Sequence, residues 1–207
     1  MTDGRSARRE ASRSAIRHAA VELFADQGYT GTSMDQVAER AGVSKGTIFY
    51  NFGSKAEMFA QIVEQESGEM AGRVADAVAG RHGWAALEAA TLAIITAVDA
   101  QPAPVQILLT ELFRRDRPWA DTLARARETL LTPLMAILRE VAVERRDAGL
   151  TDRPPGREIT ESIAASVFGA LAVAALDRSA YAADRSIADI HAGLLLAISG
   201  LSASGQH

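Results

Sequence analysis

The sequence predicts an all-α fold, and two observations carry that prediction. Strand signals are nearly absent: no stretch alternates apolar and polar residues between turn residues as a half-buried strand requires. Helical periodicity, in contrast, runs along the whole chain. Ile16, Ala19, Ala20, Leu23 and Phe24 fall at i, i+3, i+4, i+7 and i+8, which places them in one stripe of a helix. At 207 residues and 48% hydrophobic content, the chain is long enough for one compact domain plus a smaller one.

The elements follow in order. Asp26-Gln27-Gly28 closes the first helix, with Gly28 placed to take a left-handed cap. Thr32 or Ser33 caps a second, short helix that turns Met34, Val37, Ala38 and Ala41 inward and stops at Gly42. Ser44 caps a third helix carrying Thr47, Ile48 and Phe49, which breaks near Gly53. Ser54 caps a fourth, whose inward set of Phe59, Ile62, Val63, Met70 and Val74 carries it to about Ala79. After a joint at Gly80-Arg81-His82-Gly83, helices are expected near 84–99, 103–114, 118–147, 157–180 and 186–202, separated by Pro- and Gly-bearing breaks. Pro133 lies inside the 118–147 pattern and predicts a kink or two helices there.

Composition excludes several function classes. With no cysteine, the chain has no disulfide framework, thiol nucleophile, zinc finger or iron–sulfur site. The polar first fourteen residues lead into no apolar run of a secretory signal. The most apolar stretch, Phe168 to Leu176, is too short to span a bilayer, so a cytoplasmic protein with no membrane partner is expected. Four scattered histidines offer no metal spacing, and no phosphate-binding loop or nucleophile elbow occurs. No catalytic residue, metal ligand or cofactor is therefore assigned, and the chain is not expected to be an enzyme. The net charge of −4 is unevenly distributed: residues 1–55 hold eight Lys and Arg against six Asp and Glu, and the remainder fourteen against twenty.

The informative segment runs from Gly28 to Lys55. Two short helices joined by Ala41-Gly42-Val43-Ser44 form a helix-turn-helix: Gly42 permits the tight turn, Val43 plugs the angle and Ser44 caps the second helix. Such a helix presents its N-terminal residues to a major groove. Lys45 supplies a cation for a phosphate or a guanine edge, and Gly46 lets backbone approach closely. Thr47 offers a hydroxyl, and a methyl for a thymine; Tyr50 and Asn51 offer polar tips. Lys55 falls where a backbone phosphate could be met. Tyr29, Phe49 and Phe52 are read as core aromatics of this small domain. The arm with Arg5, Arg8, Arg9 and Arg13 is either a solvated tail or an extra contact to the DNA backbone.

The stretch Ala41-Gly42-Val43-Ser44-Lys45-Gly46-Thr47-Ile48-Phe49-Tyr50-Asn51-Phe52-Gly53-Ser54-Lys55 resembles the signature of the TetR family. The upstream Ala19-Ala20, Leu23-Phe24, Gly28-Tyr29 and Thr32-Ser33 fall at its spacings too. The resemblance covers roughly residues 12–60 and implies about nine helices. It implies an N-terminal DNA-binding domain, drawn at 1–55, and a helical ligand-binding and dimerisation domain at 56–207. It further implies a homodimer on a palindromic, double-stranded operator, with repression relieved by a small-molecule effector. DNA contacts carry over onto Thr32 or Ser33, Ser44, Lys45, Gly46, Thr47, Tyr50 and Lys55. Two departures stand out: Phe49 replaces a frequent tyrosine, and Asn51 a frequent histidine.

For the C-terminal half, the resemblance implies a cavity among the middle helices. Candidate lining residues are Trp84, Leu92, Ile95, Leu109 and Phe113, with Trp119, Leu130, Met135 and Phe168; few charges accompany them, so a largely apolar ligand is expected. Glu111 would orient a polar or cationic group if it points inward. Ile163, Val167, Ala170, Leu171 and Ala174 form one stripe and Ile187, Ile190, Leu194 and Ile198 another. Paired between two copies, they would make a four-helix dimer interface. A helical-bundle enzyme, or a protein-interaction module with a vestigial helix-turn-helix, is the alternative; turnover of a substrate, or a monomer without DNA affinity, would distinguish them.

Overall fold

A computed structural model describes residues 3–112, 118–150 and 155–199. Every regular element among them is an α-helix: α1 (Asp3–Gly31), α2 (Met34–Arg40), α3 (Lys45–Phe52), α4 (Lys55–Val78), α5 (Gly83–Ala100), α6 (Pro102–Leu112), α7 (Ala120–Asp147), α8 (Arg157–Tyr181) and α9 (Ile187–Ile198). The all-α expectation holds. The chain forms two contact units, residues 1–66 with 103–126 and residues 67–102 with 127–207. Within the first unit, Ile107, Trp119, Leu123 and Ala126 share one buried cluster with Phe24, Ile48 and Phe59.

In the first unit, the stripe read from the sequence is the core. Ile16, Ala19, Ala20, Leu23 and Phe24 are all buried, and Val37, Ala38, Ile48, Phe52, Met58 and Phe59 close over them. Tyr29 stacks on Phe24 and meets Phe59 edge-on, and Trp119 joins the aromatic group 3.8 Å from the Tyr29 ring centre. Helix α1 begins at Asp3, so the arginine-bearing arm is helical rather than a loose tail. Gly28 breaks α1 at φ 71°, as its cap role requires.

In the second unit, α5 packs mainly on α8, burying Ala86, Leu87, Ala90, Ile94, Ile95 and Val98 against a face that includes Ala164, Leu171 and Ala175. An Arg178–Asp99 ion pair and a Thr91 Oγ1–His191 Nε2 contact of 2.9 Å tie α8 and α9 to α5. The start of α5 has no cap of its own, because His82 makes no side-chain cap bond. Two glutamates of α7 replace it: Gly83 N–H donates to Glu140 and Trp84 N–H to Glu144, each at 2.9 Å. Carboxylates at a helix N-terminus satisfy free donors and oppose the helix dipole. Pro133 does not split α7, which runs as one element from Ala120 to Asp147. Contrary to the expectation from Phe168–Leu176, α5 and α8 are each long and apolar enough to cross a bilayer. Their mutual packing and the ion pair between them are also what core helices of a bundle show.

Candidate nucleic-acid interface

The turn between α2 and α3 is fixed at both ends by hydrogen bonds that the residue types dictate. Ser33 accepts from Gln36 N–H, and the Gln36 side chain accepts from Ser33 N–H at 2.7 Å, a complete capping box. Helix α2 ends at Ala41, after which Gly42 takes φ 66°. Gly42 N–H then donates to Glu39 and Val43 N–H to Ala38, at 3.1 and 2.9 Å. This is the paired closure by which a left-handed glycine ends a helix. Ser44 opens α3 by accepting from Thr47 N–H at 3.1 Å.

Helix α3 has two faces. Ile48 and Phe52 are 1% and 4% exposed and anchor it to the core. Lys45, Gly46, Phe49 and Tyr50 lie outside, and Thr47 is half-buried with its hydroxyl 2.8 Å from Ser44 Oγ. The Lys45 ammonium reaches out 2.5 Å from Asp35 on α2. That pair is largely solvated and contributes little to stability. A phosphate can therefore replace the carboxylate without much loss to the fold. Asn51 is half-buried and turns its amide N–H inward to Thr47 O at 2.8 Å.

Several expectations are corrected. Thr32 is 2% exposed; its hydroxyl is hydrogen-bonded to Leu23 O and Gly28 O and closes the end of α1 rather than facing DNA. Lys55 is also turned inward. Its ammonium donates to Tyr29 O and Thr32 O at 2.9 and 2.8 Å and lies 4.2 Å from the Tyr29 ring centre. Burial lowers its pKa from the ordinary lysine value. Phe49, read as a core aromatic, is 49% exposed, because it lies one step, about 100°, off the line of Ile48 and Phe52 that anchors the helix.

The structure adds Asp35, which the sequence did not single out and which pairs with Lys45. For Arg8 and Arg9, which the sequence offered as an extra contact to the DNA backbone, it shows the neighbours. The first turns of α1 lie beside α3, so that Ser6, Arg8, Arg9 and Ser12 share a crevice with Thr47, Tyr50 and Asn51. The Arg9 guanidinium sits 5.6 Å from the Tyr50 ring centre. Arg13 is held further back by Gln61 at 2.6 Å and by the Phe52 ring. No spacing rule applied to the arm alone could show this, because it follows from the helical course of residues 3–12.

The expected ligand-lining residues are divided between the two units. Leu109, Glu111 and Trp119 fall in the first unit, and Trp119 belongs to its aromatic core. Glu111 does point inward, at 1% exposure. In the second unit, Ile95, Leu130 and Phe168 are buried, Met135 is half-buried, and Leu92 is corrected to a solvent-facing position at 43% exposure. Only Trp84 among the ten lines the ≈ 380 Å³ cavity of that unit. Phe113 lies outside the described residues. Leu171 is likewise corrected: it is fully buried within its own protomer, as Val167 nearly is, so neither is available to a partner. Among the described residues, no group of three His, Asp or Glu is placed to hold a metal ion.

A capped helix held outward by a two-residue anchor, with a cation and a hydroxyl at its open end, defines a helix-turn-helix DNA-binding protein. Residues 16–62 match the family model described as bacterial regulatory proteins of the tetR family. The helix-turn-helix segment is thus similar to that of the TetR-family transcriptional regulators. It is 29% identical over 152 residues to the repressor KstR2 of Rhodococcus jostii, covering 73% of this chain and 69% of that protein. It is 39% identical over 57 residues to the activator FasR of Mycolicibacterium smegmatis, covering 28% of this chain and only 26% of that protein. Its fold is similar to that of FadR from Bacillus subtilis in complex with stearoyl-CoA. There the TM-score is 0.71 at 17% identity, over 87% of this chain and 94% of that one.

Proposed function

We propose that the chain is a dimeric cytoplasmic repressor that binds a palindromic operator and leaves it when a small, largely apolar ligand binds. The observation that carries this reading is the exposed face of α3, where Lys45, Gly46, Thr47 and Tyr50 project from a doubly capped helix. Lys45 would meet a phosphate or guanine edge and Thr47 a base. Ser33 and Ser44 stand exposed at the starts of α2 and α3, where hydroxyls and free N–H groups suit phosphates. Arg8 and Arg9 add backbone contacts beside them.

Dimerisation is supported by what α8 and α9 leave uncovered. Not one residue of α9 is buried, although Ile187, Ile190, Leu194, Leu195, Leu196 and Ile198 make it strongly apolar. On α8, Ile159 and Ile163 stay exposed, and a groove between the two helices is lined by Ile159, Ile163, Ala197 and Ile198. A second copy would cover this face through Ile163, Ala170, Ala174, Ile190, Leu194 and Ile198. Ligand release would work by differential affinity for two arrangements of the dimer, with α4 and α7 as long helices whose residues belong to both units. A coupling of about 1–3 kcal/mol would change operator affinity by about 5–150-fold.

Activation in place of repression is the second reading, and the match to FasR supports it. A reporter gene placed behind the selected operator decides between them: deletion of the regulator raises expression under repression and lowers it under activation. Loss of duplex binding by the purified chain, with a substrate consumed instead, would overturn both.

A further inference from the structure

The second unit contains a pocket that shares only Trp84 with the expected lining. It is the cavity of ≈ 380 Å³ enclosed by α5, α7, α8 and α9. Leu87, Leu138, Val141 and Ala142 form its floor together with Ile163 and Ile198, and Trp84 stands on its wall. None of its lining residues is acidic, and its one cation is Arg145. Among the described residues, Arg145 makes no ion pair; its guanidinium donates only to Ser199 O, at 3.3 Å. The next residue shows the contrast, since Arg146 is held by Asp147 at 2.8 Å in the solvent. A guanidinium carries five donors, so most of those on Arg145 are available. Helix α8 also begins at the rim with Gly156 as its cap, which has no side chain to occupy the free N–H groups there.

We propose that this cavity binds a carboxylate-tipped apolar small molecule, with Arg145 taking the carboxylate and the aliphatic floor taking the tail. Volume sets the size. Sites for small molecules span about 300–1,000 Å³, which puts this one at the lower end. At about 30 Å³ per water displaced, it accommodates roughly a dozen heavy atoms. That matches a ten-carbon fatty acid or a short aryl-alkanoate. An apolar molecule without the acid would leave Arg145 half-desolvated and unanswered, so the cavity discriminates by charge. As the identity of the effector, this rests on the ligand-release reading above; as a binding site, it does not.

Trp84 supplies the probe, since the other tryptophan, Trp119, lies in the first unit. The full chain is titrated with decanoate and with 1-decanol, following tryptophan fluorescence and, in parallel, heat. The proposal expects saturable quenching by decanoate and binding of decanol weaker by about tenfold or more. Arg145→Gln should lose that preference, Arg145→Lys should recover part of it, and Arg146→Gln should change neither. Trp84→Phe should abolish the fluorescence signal while the heat remains. Equal affinity for acid and alcohol overturns the proposal, as does an Arg145→Gln variant that is less stable yet binds decanoate unchanged, which would make Arg145 only the cap of α9. Absence of any saturable decanoate signal overturns it too. Decanoate bound with operator affinity unaltered upholds the pocket and rejects release through it.

Discussion

At the residue scale, two lysines that look equivalent in the sequence do different work. Lys45 extends to solvent beside a carboxylate that it can exchange for a phosphate. Lys55 is committed to two backbone carbonyls and the face of Tyr29. Lys45→Ala should lower the slope of log affinity against log salt by about one unit, because one released counterion is lost. Lys55→Ala should leave that slope unchanged and lower stability by about 1–3 kcal/mol, the value of hydrogen bonds made by a charged donor. A salt titration and a denaturant melt on both variants check this. Thr47→Ala should cost about 1–3 kcal/mol at one operator position and little on unrelated DNA. A uniform loss across sequences would remove its role in base reading.

At the scale of elements, what could be read in advance follows from which signals are local. Gly42, Ser33 and Ser44 act within a few residues of themselves, so α2, its turn and the start of α3 were legible, while the Gln36 half of the capping box was not singled out. Gly42→Ala tests that economy of means. A Cβ there meets nothing within 4 Å, so its cost is the backbone at φ 66°, about 1 kcal/mol or slightly more. Gly42→Asn should cost less, since asparagine tolerates the left-handed region, and denaturant midpoints will rank the two. The arm was illegible because Arg8, Arg9 and Ser12 carry no apolar stripe. Helix-favouring Ala, Arg and Glu residues extend α1, but only the neighbouring α3 shows what the extension is beside. Replacing Arg8 and Arg9 with glutamine should lower the salt slope by up to about two units while the helix content measured by circular dichroism barely changes.

At the scale of the whole molecule, the sequence supplied apolar stripes but not their partners. Leu171 and Ile163 sit on one helix at close spacing, yet the first is wholly buried and the second faces out. Which stripe serves the protomer and which a second copy depends on α5 packing against α8, a contact separated by many tens of residues. The same limit hid the place of Trp119, which joins an aromatic core whose other rings, Tyr29 and Phe59, lie 90 and 60 positions earlier. An exposed apolar α9 is a liability in a lone protomer. Ile163→Asp together with Leu194→Asp should therefore shift the protein to monomers in sedimentation equilibrium. Operator affinity should fall more steeply than affinity for a single half-site, because only the paired molecule engages two grooves.

The central claim is that two α3 helices, one from each copy, read adjacent turns of a duplex. Sequencing of random duplexes selected by the purified protein tests it most directly. The account predicts an inverted repeat whose half-sites are centred about 10–10.5 base pairs apart or a multiple of that, with the enriched positions weakened by Thr47→Ala. Selection of no motif, or of one unaffected by changes at Lys45 and Thr47, would contradict it.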